Sequence, residues 1–135
     1  MTTLPALRHL RTIGALAALL IATACGGGFY VGSGDFDDGT APTVTIEASA
    51  ATVQAGQSVT LVAAASDDQG VDSVAFYRVD DNATNTLLGT DGGSPFQLTV
   101  TAPTDGRTTL VVFARATDSS GNTTDSGTIA ITVTQ

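Results

Sequence analysis

The sequence predicts an all-β protein, a sandwich of about seven short antiparallel strands, and three observations carry that prediction. From Ala41 onward apolar residues recur at every second position, the period of a strand with one buried face. Clusters of Gly, Asp, Asn and Pro, residues that favour turns, divide this region at short intervals. Beyond the first two dozen residues no stretch has the spacing of an apolar helix face.

Each element follows from its own residues. Val44 and Ile46 alternate with Thr45 and Glu47 to give a first strand, and Gln54-Ala55-Gly56-Gln57 is a turn. Val59, Leu61, Ala63, Ala65 and Asp67 then occupy successive alternate positions, and Leu110, Val112, Ala114, Ala116 and Asp118 repeat the pattern in the same phase. Both runs narrow to alanine and end on an in-phase aspartate before a glycine-containing loop. Small residues at facing strand ends let two sheets approach closely at one pole. Between these runs lie Val74 and Phe76, a turn over Asp80 to Thr86, the short apolar pair Leu87-Leu88, and a loop over Gly89 to Pro95. Phe96, Leu98 and Val100 form the next strand, and Ile129, Ile131 and Val133 form the last.

The pattern resembles that of a bacterial immunoglobulin-like domain. It is carried by Ala41-Pro42-x-Val44, by Gly56-x-x-Val59-x-Leu61-x-Ala63-x-Ala65-x-Asp67-Asp68-x-Gly70-Val71-x-x-Val74-x-Phe76-Tyr77, and by Leu88-Gly89-Thr90-Asp91, Pro95-Phe96 and Ala114-x-Ala116-x-Asp118-x-x-Gly121-Asn122. The resemblance covers nearly all of 41–135 and implies an immunoglobulin-like β-sandwich with a binding or spacer role and no chemistry of its own. The chain departs from it in having a longer turn at Asp80 to Thr86 and a single copy of the domain. With no Trp and one Cys, it lacks the Cys-Trp-Cys core of antibody domains.

The N-terminal segment reads as a secretory signal: Arg8 and Arg11 with no acid, an apolar run from Ile13 to Ala22, then small residues. Ile21-Ala22-Thr23-Ala24-Cys25-Gly26 resembles the lipobox of a bacterial lipoprotein, with Ala22 where Leu is commonest. That resemblance implies cleavage before Cys25, loss of 1–24, and acylation of the Cys25 thiol. The apolar run is about half the roughly 20 residues needed to span a bilayer. Residues 25–40, rich in Gly and Asp, would then be a tether, with Phe29, Tyr30 and Phe36 as unusual aromatic members. The expected location is the cell envelope, held to a membrane by lipid, at the outer membrane in a Gram-negative cell.

Charge and residue content narrow the function classes. All thirteen acids lie after Cys25 and face only Arg78, Arg107 and Arg115, a balance of −10. Such a charge repels nucleic acid and anionic headgroups. There is no Lys, and His9, the only histidine, precedes the cleavage site. A Ser or Thr nucleophile would lack its usual base, so no enzyme is expected and no catalytic residues are assigned. One cysteine allows no disulfide within the chain.

Two candidate sites remain. Strand direction brings the loops of Asp67, Asp68, Asp91 and Asp118 to the pole where the tether enters, with Asn122 nearby. Calcium takes six to eight oxygens of this type, whereas the same residues also close turns with their own side chains. Asp35 to Gly39 fails the EF-hand spacing. Phe113 and Arg115, out of phase with Leu110 and Val112, should look outward beside Tyr77, as a protein or glycan contact or as ordinary cross-strand cover. The expected role is a non-catalytic adhesion or protein-binding module, with a carbohydrate-binding or calcium-stabilised accessory domain as the alternative. Asn82-Ala83-Thr84 and Asn122-Thr123-Thr124 match glycosylation acceptors.

Overall fold

A computed structural model describes residues 39–135. The leader, Cys25, the aromatic residues of the tether and the Asp35 loop lie outside the described residues.

The described chain forms nine strands: β1 (Thr43–Ala48), β2 (Thr52–Gln54), β3 (Ser58–Ser66), β4 (Val71–Val79), β5 (Asn85–Asp91), β6 (Phe96–Thr101), β7 (Thr109–Asp118), β8 (Thr123–Asp125) and β9 (Ile129–Thr134). They make two sheets. One has the order β1-β3-β6; the other runs β2-β9-β7-β4-β5, with β8 also pairing β7. The count exceeds seven because the first and last strands are each divided. After β1 the chain crosses to the other sheet and β2 runs parallel to β9, the one parallel pair among the described strands. At the end of the chain, β8 and β9 pair successive parts of β7 and are separated by Ser126 to Thr128. Two loops are also shorter than the residue pattern implied. Asp80 N–H donates to the Thr84 carbonyl at 2.9 Å, so β5 begins at Asn85, and β5 extends through Gly89 to Asp91.

The alternation places the core as expected. Val59, Leu61, Val74, Phe76, Leu110, Val112, Ile131 and Val133 are all buried between the sheets. Pro42 is fully buried just before β1, where its missing N–H leaves no ladder bond unmade. Gln57 N–H donates to the Gln54 carbonyl, and Gly56 takes φ 80°, the conformation a type II turn requires at that position.

The alanines have a specific partner. Ala114 lies opposite Phe76 and Ala63 lies opposite Phe96 across their ladders. On its other side Phe76 faces Gly89, where an added Cβ would come within 2.9 Å of Leu98. Ala114 and Ala63 therefore leave room for the two rings, and Gly89 leaves room for Leu98. A bulge between Phe76 and Tyr77 inserts Leu88 into β5. The extra residue lets Leu88 pack against the core next to Gly89 and leaves Leu87 on the outer face.

Candidate functional site

The outer face of the larger sheet carries a cross-strand row built from three strands. Leu87 of β5 lies opposite Tyr77 of β4, which lies opposite Phe113 of β7. The Tyr77 and Phe113 rings stack 5.2 Å apart at an interplanar angle of 12°. The next row places Ala75 opposite Arg115, and Arg115 opposite Asp125 of β8. The small side chain of Ala75 lets Arg115 lean diagonally, and its Cζ sits 5.6 Å from the Tyr77 ring centroid. Asp125 grips the same guanidinium as a fork, Nε to Oδ1 at 2.6 Å and Nη2 to Oδ2 at 2.8 Å. That pair lowers the pKa of Asp125 and raises that of Arg115.

Tyr77, Phe113 and Arg115 thus come together as expected, but in unequal positions. Phe113 is only 6% exposed although it points away from the core. Leu87, in contrast, is 53% exposed. The stacked pair contributes about 0.5–1.5 kcal/mol, whereas the Arg115–Asp125 fork, exposed on both sides, contributes at most about 1 kcal/mol. Leu87 and Asp125 were not legible in the alternation of the sequence as members of this face. For Asp125 a signal existed: Asp118 and Asn122 close the β7–β8 turn, and counting three residues outward from each brings Arg115 opposite Asp125.

At the acidic pole the structure fixes where the candidate calcium ligands lie and what they bond. Val71 pairs Asp118 and Val74 pairs Asp91, so the loops of Asp67, Asp68, Asp91 and Asp118 do share one end. Thr40 is there too, its carbonyl accepting from Asn122 Nδ2 at 3.1 Å. Yet among the described residues no three His, Cys, Asp or Glu side chains converge as a metal site would require. The carboxylates are turned into their own loops. Asp67 Oδ1 accepts Gln69 N–H, and Asp91 accepts Gly93 and Gln97 N–H. Asp118, 3% exposed, accepts Ser120 and Asn122 N–H on Oδ1 and Asn122 Nδ2 on Oδ2, each at 2.8 Å. Burial pushes the Asp118 pKa up, but these hydrogen bonds outweigh it and hold the group below its ordinary value. Asp68 is exposed. Turn closure accounts for the pattern.

At the opposite pole Asp80 is a hub that sequence reasoning did not single out. Arg78 Nε reaches its Oδ1 at 2.7 Å and Arg107 Nη1 at 3.2 Å, while the Thr86 hydroxyl donates to Oδ2. Hydrogen bonds from Arg78 and Thr86, with help from Arg107, lower the Asp80 pKa to about 2. A lowered carboxylate pKa contributes stability that is complete above the unfolded value near 3.8 and is lost as pH falls through the folded value. The urea midpoint should therefore hold steady from pH 7 to about 5, then fall between about pH 4 and 2. Asp80→Asn should flatten part of that fall; an unchanged acid limb would rule out Asp80 as a main contributor.

Two surface depressions differ in the chemistry of their lining. One, of about 300 Å³, lies between β1 and β9 and has Glu47 as its one ionisable lining residue. The other, of about 260 Å³, lies at the acidic pole and is lined by Ser66, Asp67 and Ser94 among apolar groups.

Two facing sheets, a partly divided first strand and a core without a disulfide define an immunoglobulin-like β-sandwich. The chain belongs to the bacterial Ig domain family, whose model matches residues 42–133. Among solved structures it is similar to the fibronectin(III)-like modules of Clostridium thermocellum CbhA, at 26% identity and a TM-score of 0.57, over 67% of this chain and 94% of that one. No curated protein matches the chain.

Proposed function

We propose that this chain is a non-catalytic, lipid-anchored module of the cell envelope that binds a protein partner through the outer face of its larger sheet. The carrying observation is the row Leu87–Tyr77–Phe113, in which a half-exposed leucine and a tyrosine sit on a base stiffened by ring stacking and by the Arg115–Asp125 fork. An exposed apolar residue beside an aromatic and an arginine is the composition of an interface centre. The family membership and the likeness to fibronectin(III)-like modules support a module of this kind. The sugar-binding alternative has less support, because the Tyr77 ring is stacked on Phe113 with Arg115 over it, and does not lie open as a platform.

The anchor half of the proposal rests on Cys25 within Ile21-Ala22-Thr23-Ala24-Cys25-Gly26, and places the chain at the outer membrane in a Gram-negative cell. Two or more acyl chains hold a protein on a bilayer stably. The test is photo-crosslinking in intact cells from position 87, with position 99 on the opposite sheet as control, followed by membrane fractionation. Discrete adducts from 87 and none from 99 are expected, all in the membrane fraction. Cys25→Ser should move nearly all of the chain to the soluble fraction. Equal adducts from both positions would overturn the assignment of the face, and a soluble wild-type chain would overturn the anchor.

A further inference from the structure

The two glycosylation-acceptor triplets in this chain fold into opposite circumstances, and from that contrast we propose that Asn82 is modified with a sugar through its side-chain nitrogen and that Asn122 is not. The proposal rests on the envelope reading above, since the modification requires export.

An acceptor asparagine must present its carboxamide to a transferase on an exposed loop. Asn82-Ala83-Thr84 occupies the five-residue connection between β4 and β5, and every residue from Asp81 to Leu87 is exposed. The turn is held at its base by the Asp80 carboxylate, which takes the Thr86 hydroxyl, and at its tip by backbone hydrogen bonds. Ala83 N–H donates to the Asp80 carbonyl and Asp80 N–H to the Thr84 carbonyl, each at 2.9 Å. Ala83 takes φ 57°, which turns the chain outward at a residue with a small side chain. Neither the Asn82 carboxamide nor the Thr84 hydroxyl is engaged by another described group, so both elements of the triplet are available to an enzyme.

Asn122 is committed. Its Nδ2 donates both hydrogens, to the Thr40 carbonyl at 3.1 Å and to Asp118 Oδ2 at 2.8 Å. A sugar on that nitrogen would remove one hydrogen and force the turn apart. Thr124, its hydroxyl residue, lies within β8 opposite Ala116. Asn82 also sits at the end of the sandwich opposite Thr40, so a glycan there clears the pole where the chain enters.

The step is a glycosyl transfer with no redox change. Nδ2 of Asn82 bonds to the anomeric carbon of a sugar activated on a pyrophosphate carrier. The anomeric C–O bond breaks, the carrier leaves with the electron pair, and the Nδ2 proton passes to a base of the transferase.

Trypsin separates the two triplets, because cleavage after Arg78, Arg107 and Arg115 puts Asn82 in Val79 to Arg107 and Asn122 in Ala116 to Gln135. The experiment is glycopeptide mass spectrometry of the full chain purified from the cells that produce it, beside Asn82→Gln, Thr84→Ala and Thr124→Ala. The expected result is a hexose or N-acetylhexosamine increment on the Val79 peptide alone, lost in Asn82→Gln and Thr84→Ala and kept in Thr124→Ala. A block of several sugars would mark a lipid-linked donor, and a single hexose a nucleotide-linked one. An unmodified Val79 peptide, or sugar on the Ala116 peptide, overturns the proposal. The acylation state of Cys25 in the same preparation reports on the anchor separately, so the two failures can be told apart.

Discussion

Phe76→Ala is expected to lower the unfolding free energy by about 3–5 kcal/mol, the range for removing a buried aromatic ring from a core that cannot fully collapse. A domain of this size has a total stability on the order of 5–15 kcal/mol, so the loss is a large share of the whole. The effect is large because of where the ring sits. Phe76 is fully buried, and its ladder neighbours are Gly89 and Ala114. Neither has a side chain long enough to fill the space. Leu87, on the same hairpin but half exposed, provides the contrast: Leu87→Ala should change stability by no more than about 0.5 kcal/mol. Urea unfolding of the two variants checks both values. A loss below about 1 kcal/mol for Phe76→Ala would mean that the ring does not hold the sheets together.

Asp118→Ala should give the next largest loss, a fall in Tm of at least about 5 °C for a domain of this length. The carboxylate gathers the N–H groups of Ser120 and Asn122 and the Asn122 side chain, and it does so almost out of contact with water. Removing it leaves these donors without their acceptor and frees Asn122 from its place beside Thr40. The β7–β8 turn then loosens, and with it the register that sets Asp125 against Arg115. Asp67→Asn is the matched comparison at the same pole. Asp67 uses Oδ1 for the Gln69 N–H, while Oδ2 is buried with no hydrogen-bond partner. A neutral carboxamide keeps the useful oxygen and removes a charge from a group of like charges, so Tm should hold or rise. Calorimetry separates the cases; equal losses would show that the two aspartates serve their loops in the same way.

The calcium expectation and these stability effects spring from the same residues. Asp67, Asp91 and Asp118 were recognisable as loop acids at one pole because β3, β5 and β7 must all end there. Whether their oxygens pointed at one another or at their own backbones depended on turn geometry, which strand periodicity does not contain. Each of the three closes its own turn. Phe113 shows a similar limit. Its phase put it on the outer face, and it is there, but Tyr77 and the neighbouring strands bury it. Phase assigns a face and leaves exposure open.

The Asp80 hub was beyond reach for a different reason. Arg107 joins it from 27 positions away, through the placement of a loop that has no alternation of its own. Leu87 was hidden by the bulge in β5. An even alternation cannot say which of two adjacent leucines is the inserted one.

From its residues alone, this chain is a two-sheet β protein with a defined inner face. A period of two, once a turn fixes its start, decides for every strand which side chains leave water. The acidic balance, the lack of Lys and the single Cys are likewise properties of composition that folding does not alter. Only the tertiary structure decided which phenylalanine each alanine accommodates, that the first strand divides between the sheets, and that the aspartates cap turns. It also decided that Asn82 is open while Asn122 is bound. Those outcomes depend on contacts between residues far apart in the chain, and hydrogen-bond geometry sets them after the faces have been chosen.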